Sequence, residues 1–527
     1  MIFIHITKAP GEVSSITLAR DYIPSPLSLY AKLDKKNSLL LESAEVDSKD
    51  SVKSLILVDA ALRIECNGSQ VKLIALSNNG LQLLPYLQEK VLNCDTRLIG
   101  NSLILTYQAY KANLDEFSRL KADNAFSALR HCINNIKCTS DNAYSLFLGG
   151  VFAYDMVANF EQLPQVKNKD NTCPDYVFYL AETLVIIDHQ KQTTDLIGNV
   201  FNGPDVHANC FEIGQKLEDL NQLCEDITPY TGEKATFDAT PEVCVDISDE
   251  TYCEQVLTLK KNIVDGDIFQ VVPSRSFSLP CPDALSAYQH LKQQNPSPYM
   301  FYMKDQDFTL FGASPESALK FCALSRQVEV YPIAGTRPRG KNPDGSINPD
   351  LDSRIELNLR NDQKERAEHL MLVDLARNDV ARISIAGTRH VKELLKVDRY
   401  SQVMHLVSRV VGQLKPELDA LHAYQACMNM GTLVGAPKVK AAQLVRETEQ
   451  KRRGSYGGAV GYLTGDGTMD TCIVIRSAFV KNDIAYVQAG AGVVHDSNPQ
   501  MEADETRAKA QAVLKAIISS YGEQTHV

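Results

Sequence analysis

No stretch of this chain approaches the roughly 20 consecutive apolar residues that cross a bilayer, so a membrane helix is not expected. Positive charge is scarce as well. The net charge is −11, and the longest basic cluster, Lys451-Arg452-Arg453, reads as a solvated turn. Without a basic face the chain lacks what binding to nucleic-acid phosphates requires. The 13 cysteines include no Cys-x-x-Cys pair, which speaks against a disulfide framework and against structural zinc. A reducing, cytoplasmic setting is the expectation. Residues 1–6 are apolar, but no charged segment precedes them and no small-residue cleavage site follows, so no secretory signal is expected. Also missing are a His-Glu-x-x-His zinc motif, a third glycine that would make Gly490-Ala491-Gly492 a dinucleotide fingerprint, and an internal repeat of solenoid length.

What is present is an ordinary globular composition, 44% hydrophobic and 23% charged over 527 residues, with room for two domains or one elaborate fold. Residues 225–250, broken by Pro229, Gly232 and Pro241, form the candidate linker. Residues 1–230 would then be an N-terminal lobe and 231–527 the catalytic region. Alternation and turn residues predict strands over 54–60 and 69–75, hinged at Asn67-Gly68, and over 147–154 and 176–188. Beyond the linker, helices are expected at 249–265, opened by Ser248, at 363–376, at 438–449 behind Pro437, and at 499–521. Strands are expected at 268–277, 403–414, 457–463, 471–480 and 484–489, with turns at Gly465-Asp466-Gly467 and Asn482-Asp483. Hairpin-length connections with helices not interleaved one for one predict an α+β fold with antiparallel sheets.

Two of the expected helices carry Glu-x-x-Glu: Glu365 with Glu368, and Glu502 with Glu505. A spacing of three puts both carboxylates on one helical face. Two such faces brought together would make a hard, oxygen-lined site suited to Mg2+, although exposed glutamate pairs on helices are common. His405 lies between apolar neighbours on a strand, where an imidazole is either a packed core group or a proton carrier. The segment Gly431-Thr432-Leu433-Val434-Gly435-Ala436-Pro437-Lys438 enters a helix, whose first N–H groups favour anions; a plain structural turn fits equally well. Gly490-Ala491-Gly492 permits close backbone approach to a ligand, or a tight turn.

The segment Pro332-Ile333-Ala334-Gly335-Thr336-Arg337, read with Gln270, resembles a signature of the chorismate-utilising enzymes. In order along the chain, Asp267–Arg275, Pro296-Ser297-Pro298-Tyr299-Met300, Ala313-Ser314-Pro315-Glu316-Ser317, residues 365–379, His405, 431–438, Arg476, 490–492, and 503–506 with Lys509 match the anthranilate synthase component I group. Members that add water resemble one another in carrying Lys at the position of Gln270, and aminodeoxychorismate synthases carry Lys at the position of Ala334. Neither residue here bears an amine. The resemblance therefore implies a site that accepts ammonia, with aminodeoxychorismate or isochorismate synthase as the alternative.

The resemblance further implies two large packed antiparallel β-sheets with outer helices, in two lobes around an active-site cleft. Glu368 and Glu505 would hold Mg2+, supported through water by Glu365 and Glu502. Arg476 would grip the enolpyruvyl carboxylate of chorismate, with Tyr456, Gly490, Ala491, Gly492 and Lys509 around it and Gly335 and Thr336 against the ring. His405, Glu316, Thr432 and Gln270 would form the catalytic group, Glu316 as the acid for the leaving hydroxyl. Leu41, Glu42, Ser43 and Lys53, with Pro298, Tyr299 and Met300, would bind tryptophan as feedback inhibitor. No cysteine sits in a Gly-x-Cys-x-Gly elbow, so a separate glutamine amidotransferase subunit, component II, would supply the ammonia within a heterotetramer.

Overall fold

The computed structural model describes residues 8–43, 53–108, 114–232, 241–400 and 403–521. The apolar N-terminal run 1–6 and the middle of the expected linker lie outside these residues. The fold is α+β, and among the described residues 23 strands join in one hydrogen-bonded network. Among the described residues pairing is antiparallel apart from a short parallel contact between Glu12–Asp21 and Lys137–Cys138 and an isolated parallel bridge between Lys167 and Lys451.

Two long strands, Lys53–Asn67 and Tyr176–Asp188, explain how one network becomes two sheets. They pair along most of their length, and their register shifts three times between Leu57 and Leu62. Such bulges bend a strand and raise its twist. Beyond the bend, the 62–67 end of the first strand takes Gln70–Ala75 as neighbour, and the 176–180 end of the second takes Phe147–Phe152. From there one sheet continues through Ala459–Thr464, Met469–Ile473, Ser317–Cys322, Gln327–Val330 and Val403–Gln413. At the other end of the same two strands, the second sheet runs outward through Ser38–Glu42, Tyr299–Lys304, Thr309–Ser314, Ser477–Lys481, Ile484–Gly490 and Ser274–Pro280. Each sheet draws strands from both halves of the chain.

The sheets pack face to face. Leu39, Leu57, Phe301 and Met303 from one and Phe147, Val151, Val177 and Val460 from the other share one buried cluster. Helices cover the outer faces. Gln363–Ile383 buries Val373, Ala376, Val380 and Ile383 on the first sheet, and Pro499–Ser519 buries Val513, Ala516 and Ile517 on the second. Both begin on capping side chains: Asp362 accepts from the Lys364 and Glu365 amides, Asn498 from those of Gln500 and Met501. An uncapped helix start would leave those donors unsatisfied. Among the described residues no helix is long and apolar enough to cross a membrane.

Two expected strands break in two. The run 268–277 divides at Pro273, which has no N–H for a ladder. Gln270–Val271 pairs with Gly435–Ala436 in a separate two-stranded ribbon, while Ser274–Pro280 joins the second sheet. The run 471–480 divides at Arg476, whose φ is 49°. Met469–Ile473 lies in the first sheet and Ser477–Lys481 in the second. Likewise Thr309–Ser314 ends in the second sheet and Ser317–Cys322 begins in the first. The chain crosses between the sheets at Glu316 and again at Arg476, and the crossings are tied by hydrogen bonds from the Ala313 amide to the Arg476 carbonyl and from the Ile473 amide to the Glu316 carbonyl.

Candidate active site

The paired crossings bring together groups that lie far apart in sequence. Glu316 is buried and its carboxylate accepts a hydrogen bond from Thr432 Oγ1 at 3.1 Å. Burial pushes its pKa from 4.5 up to about 8, with the Thr432 hydroxyl, Lys509 and Arg476 pulling the other way. Glu316 is therefore a protonated acid at neutral pH.

His405 lies on the first sheet, opposite Thr336, and its Nδ1 is 2.9 Å from Thr336 Oγ1. Burial, and then the positive charge of Arg476, lower its pKa to about 4, so the imidazole is neutral at pH 7. The strand Ile333–Pro338 bulges between Ala334 and Thr336, where Gly335 has φ 80°. A Cβ there would also sit 3.2 Å from a Glu365 oxygen, so glycine suits the position in both backbone angle and space.

Arg476 is half-buried, and among the described residues no side chain pairs with its guanidinium. Burial pulls its pKa down; Tyr456, Glu505 and Glu316 offset this. A partly buried guanidinium with no carboxylate in contact suits an anionic ligand. Around it, Lys509 Nζ donates to the Gly490 carbonyl at 2.9 Å, and Tyr456 is buried. A Cβ on Gly490 would come within 3.0 Å of Tyr456 Oη, and one on Gly492 within 2.7 Å of Gln270 Nε2. Ala491 is fully buried between them. Two open surface grooves, of about 580 and 480 Å3, are lined by other residues.

The two Glu-x-x-Glu helices face each other. Burial raises the pKa of Glu368 to about 7, and Glu365, Glu502 and Glu505 add to the rise against Lys364. Glu502 is raised by burial and by Glu505. The carboxylates influence one another without forming a closed shell. Among the described residues no three His, Cys, Asp or Glu side chains are gathered tightly enough to hold an ion. Glu505 pairs instead with Lys509 at 2.6 Å, and Glu365 with Arg337 at 2.8 Å. The donors are all oxygen, the ligand type that suits Mg2+.

Residues 39–43 and 298–300 also meet. Glu42 stands opposite Met300 in register, and Ser43 Oγ donates to the Pro298 carbonyl at 3.0 Å across 255 residues of sequence. Glu42 is held by Tyr288 Oη at 2.7 Å and Lys292 Nζ at 2.5 Å. Leu41 pairs with Leu55, while Lys53 lies over the Tyr144 ring at 5.4 Å and Tyr299 Oη donates to Asp470.

The reading of Lys451-Arg452-Arg453 as a solvated turn is corrected. Arg453 is 1% exposed, paired with Glu449 at 2.6 Å, and Arg452 pairs with Asp155 and Asp175. The i, i+4 spacing of Glu449 and Arg453 was the available sequence signal; the two aspartates, far back in the chain, gave none. His369 was also missed. It is fully buried beside Glu368 and lies 2.6 Å from Ser408 Oγ, tying the helix of Glu368 to the strand of His405.

The sequence profile of the chorismate binding enzymes matches residues 89–515. Anthranilate synthase component 1 of Vibrio cholerae serotype O1 is 58% identical over 523 residues, covering 98% of each chain. That of Escherichia coli strain K12 is 54% identical over 514 residues, covering 97% of this chain and 98% of its own. The crystal structure of anthranilate synthase component I from Streptococcus pneumoniae superposes with a TM-score of 0.65 at 27% identity, covering 94% of this chain and 98% of that one. A menaquinone-specific isochorismate synthase from Escherichia coli, 17% identical, shares the fold at a TM-score of 0.70 over 98% of this chain and 96% of its own.

Proposed function

The chain belongs to the chorismate-binding enzyme family, and we propose from that premise that it converts chorismate and ammonia to anthranilate and pyruvate, the entry to tryptophan synthesis. The observation that carries the reading is Arg476, a half-buried guanidinium without a counter-ion beside a protonated Glu316 and a neutral His405. Arg476 grips the enolpyruvyl carboxylate, with Tyr456 and Lys509 closing the pocket behind it. Glu368 and Glu505 would hold Mg2+, with Glu365 and Glu502 supporting them, and the ion would neutralise the ring carboxylate and polarise the adjacent diene.

Ammonia adds at C2 of the ring. The C4 hydroxyl leaves with the proton of Glu316, whose orientation Thr432 fixes. The proton at C2 is then lost, the enolpyruvyl methylene carbon gains one, and the C3–O bond breaks to release pyruvate and the aromatic ring. His405, held through Nδ1 by Thr336, positions or carries a proton in this second step. Gln270 and Ala334 carry no amine, which disfavours the water-adding and aminodeoxychorismate alternatives. Mass spectrometry of the products from chorismate, Mg2+ and ammonium salt tests the reading: anthranilate supports it, and isochorismate or aminodeoxychorismate replaces it.

Three outcomes follow at this level. The chain alone makes anthranilate from ammonium salts, best at high pH where free ammonia rises, and fails with glutamine until a glutaminase partner is added; turnover of glutamine by the pure chain would contradict the missing elbow. His405→Met still adds ammonia but stalls before elimination, so an aminated, pyruvate-bearing intermediate builds up on chromatography; equal loss of both steps would remove His405 from the second. Ser43→Phe fills the space beside Pro298 and yields an active enzyme that tryptophan no longer inhibits. The tryptophan pocket draws support from the meeting of residues 39–43 with 298–300, and a coupling of about 1–3 kcal/mol is typical of such inhibition. If calorimetry finds tryptophan binding Ser43→Phe as it binds the parent, the pocket lies elsewhere.

A further inference from the structure

The elements that carry Gln270, Thr432 and Tyr456 converge on one side chain outside the substrate groups. Arg453 is 1% exposed. Its Nη1 donates to the Leu433 carbonyl at 2.7 Å and its Nη2 to the Val272 carbonyl at 2.6 Å. Nε and Nη2 donate to the Glu449 carboxylate at 2.9 and 2.6 Å, and Glu449 in turn accepts from the Ser274 amide and hydroxyl, each at 2.8 Å. The guanidinium lies over the rings of Tyr154 and Tyr456, 4.6 and 5.6 Å from their centroids.

Leu433 follows Thr432, and Val272 comes two residues after Gln270. The two acceptor carbonyls therefore report on the two site residues. Only a planar fork reaches both carbonyls and a carboxylate at once; an ammonium is a point donor with no fixed geometry. The segments it joins approach unusually closely. Gly435 has φ 120°, and a Cβ there would fall 2.1 Å from the Gln270 carbonyl. Such a contact leaves no slack for sliding.

We propose that Arg453 is a positioning residue for the amination step, setting the distance between the Thr432–Glu316 pair, the Gln270 strand and Tyr456. The inference rests on the proposed reaction, because it assigns those three groups to one substrate. Arg453 is not among the groups proposed above to contact substrate or metal. A displacement of about 1 Å in such an arrangement lowers turnover about 100-fold.

The test is Arg453→Lys, which keeps a buried cation beside Glu449 and loses the fork, studied with Glu449→Gln, which keeps the fork and loses the charge. Each is assayed in the full chain at temperatures where circular dichroism shows it folded. For Arg453→Lys we expect kcat with ammonium to fall about 100-fold, well beyond any weakening of chorismate binding measured by calorimetry without ammonia. Glu449→Gln should retain more of kcat than Arg453→Lys. A folded Arg453→Lys with parental kcat, or a loss that merely follows the unfolded fraction, overturns the proposal. Hydrogen exchange gives a readout independent of the reaction. The Phe269 amide donates to the Ala436 carbonyl at 2.7 Å and the Val272 amide to the Val434 carbonyl at 3.1 Å. Both should exchange faster in Arg453→Lys, and unchanged exchange overturns the positioning role. If the parent makes no anthranilate yet these amides respond, the proposed reaction fails and the pinning role stands.

Discussion

Replacing Glu316 by Gln should lower kcat for anthranilate formation by about 10²–10⁴-fold, the usual worth of a positioned general acid. The glutamine keeps the shape and still accepts from Thr432 Oγ1, so the loss isolates the proton. With ammonia saturating, the parent needs Glu316 protonated, and its pKa of about 8 places the alkaline change there: kcat falls as pH rises above 8. The variant should lose that alkaline limb. Stability supplies the control. The folded pKa lies above the unfolded value of 4.5, so this group's contribution is fully present below pH 4.5 and lost as pH rises through 8. Glu316→Gln lacks this loss and should melt no lower than the parent at pH 8. Intermediate prepared separately, already aminated, should still eliminate pyruvate on the variant. A variant with a parental alkaline limb would move the acid elsewhere.

Glu368→Gln and Glu505→Gln should each abolish turnover, and a chelator should do the same to the parent. Metal polarisation is worth several kcal/mol, and about 1.4 kcal/mol is a factor of ten in rate. Each substitution removes one anionic donor from a cluster in which Glu368 is raised to about 7 by burial and by its acidic neighbours. Fluorescence or calorimetric titration should show weaker Mg2+ binding in both variants. Full activity of either in metal-free buffer would discard the assignment.

The local parts of this structure were legible in the sequence, and the crossings were not. The helix Lys438–Glu449 begins behind Pro437, a local signal, and its observed bounds are the expected ones. The hairpin turns at Gly465-Asp466-Gly467 and Asn482-Asp483 also fell as expected. By contrast, Arg476 turns to φ 49° inside an apolar alternating run, a backbone angle that an arginine does not advertise. The helix beginning at Gln363 runs on to Ile383, because Val380 and Ile383 find a buried face on the first sheet that the local pattern had not promised. The carboxylate pairs were visible as spacing, but their facing required tertiary contact. The two-sheet architecture with outer helices came from resemblance to a family, and periodicity alone went no further than an α+β fold with antiparallel sheets.

The long shared strands impose an order on synthesis. Ser38–Glu42 takes one neighbour from Lys53–Asn67 and the other from Tyr299–Lys304, and Ser43 waits 255 residues for Pro298. At ribosomal speeds of about 5–20 residues per second, that edge stands open for roughly 13–51 s. An unpaired apolar strand invites the wrong neighbour during such an interval. The nascent N-terminal half should therefore be a chaperone client until the strand at Tyr299–Lys304 emerges, and slow, non-local pairing should dominate its refolding time.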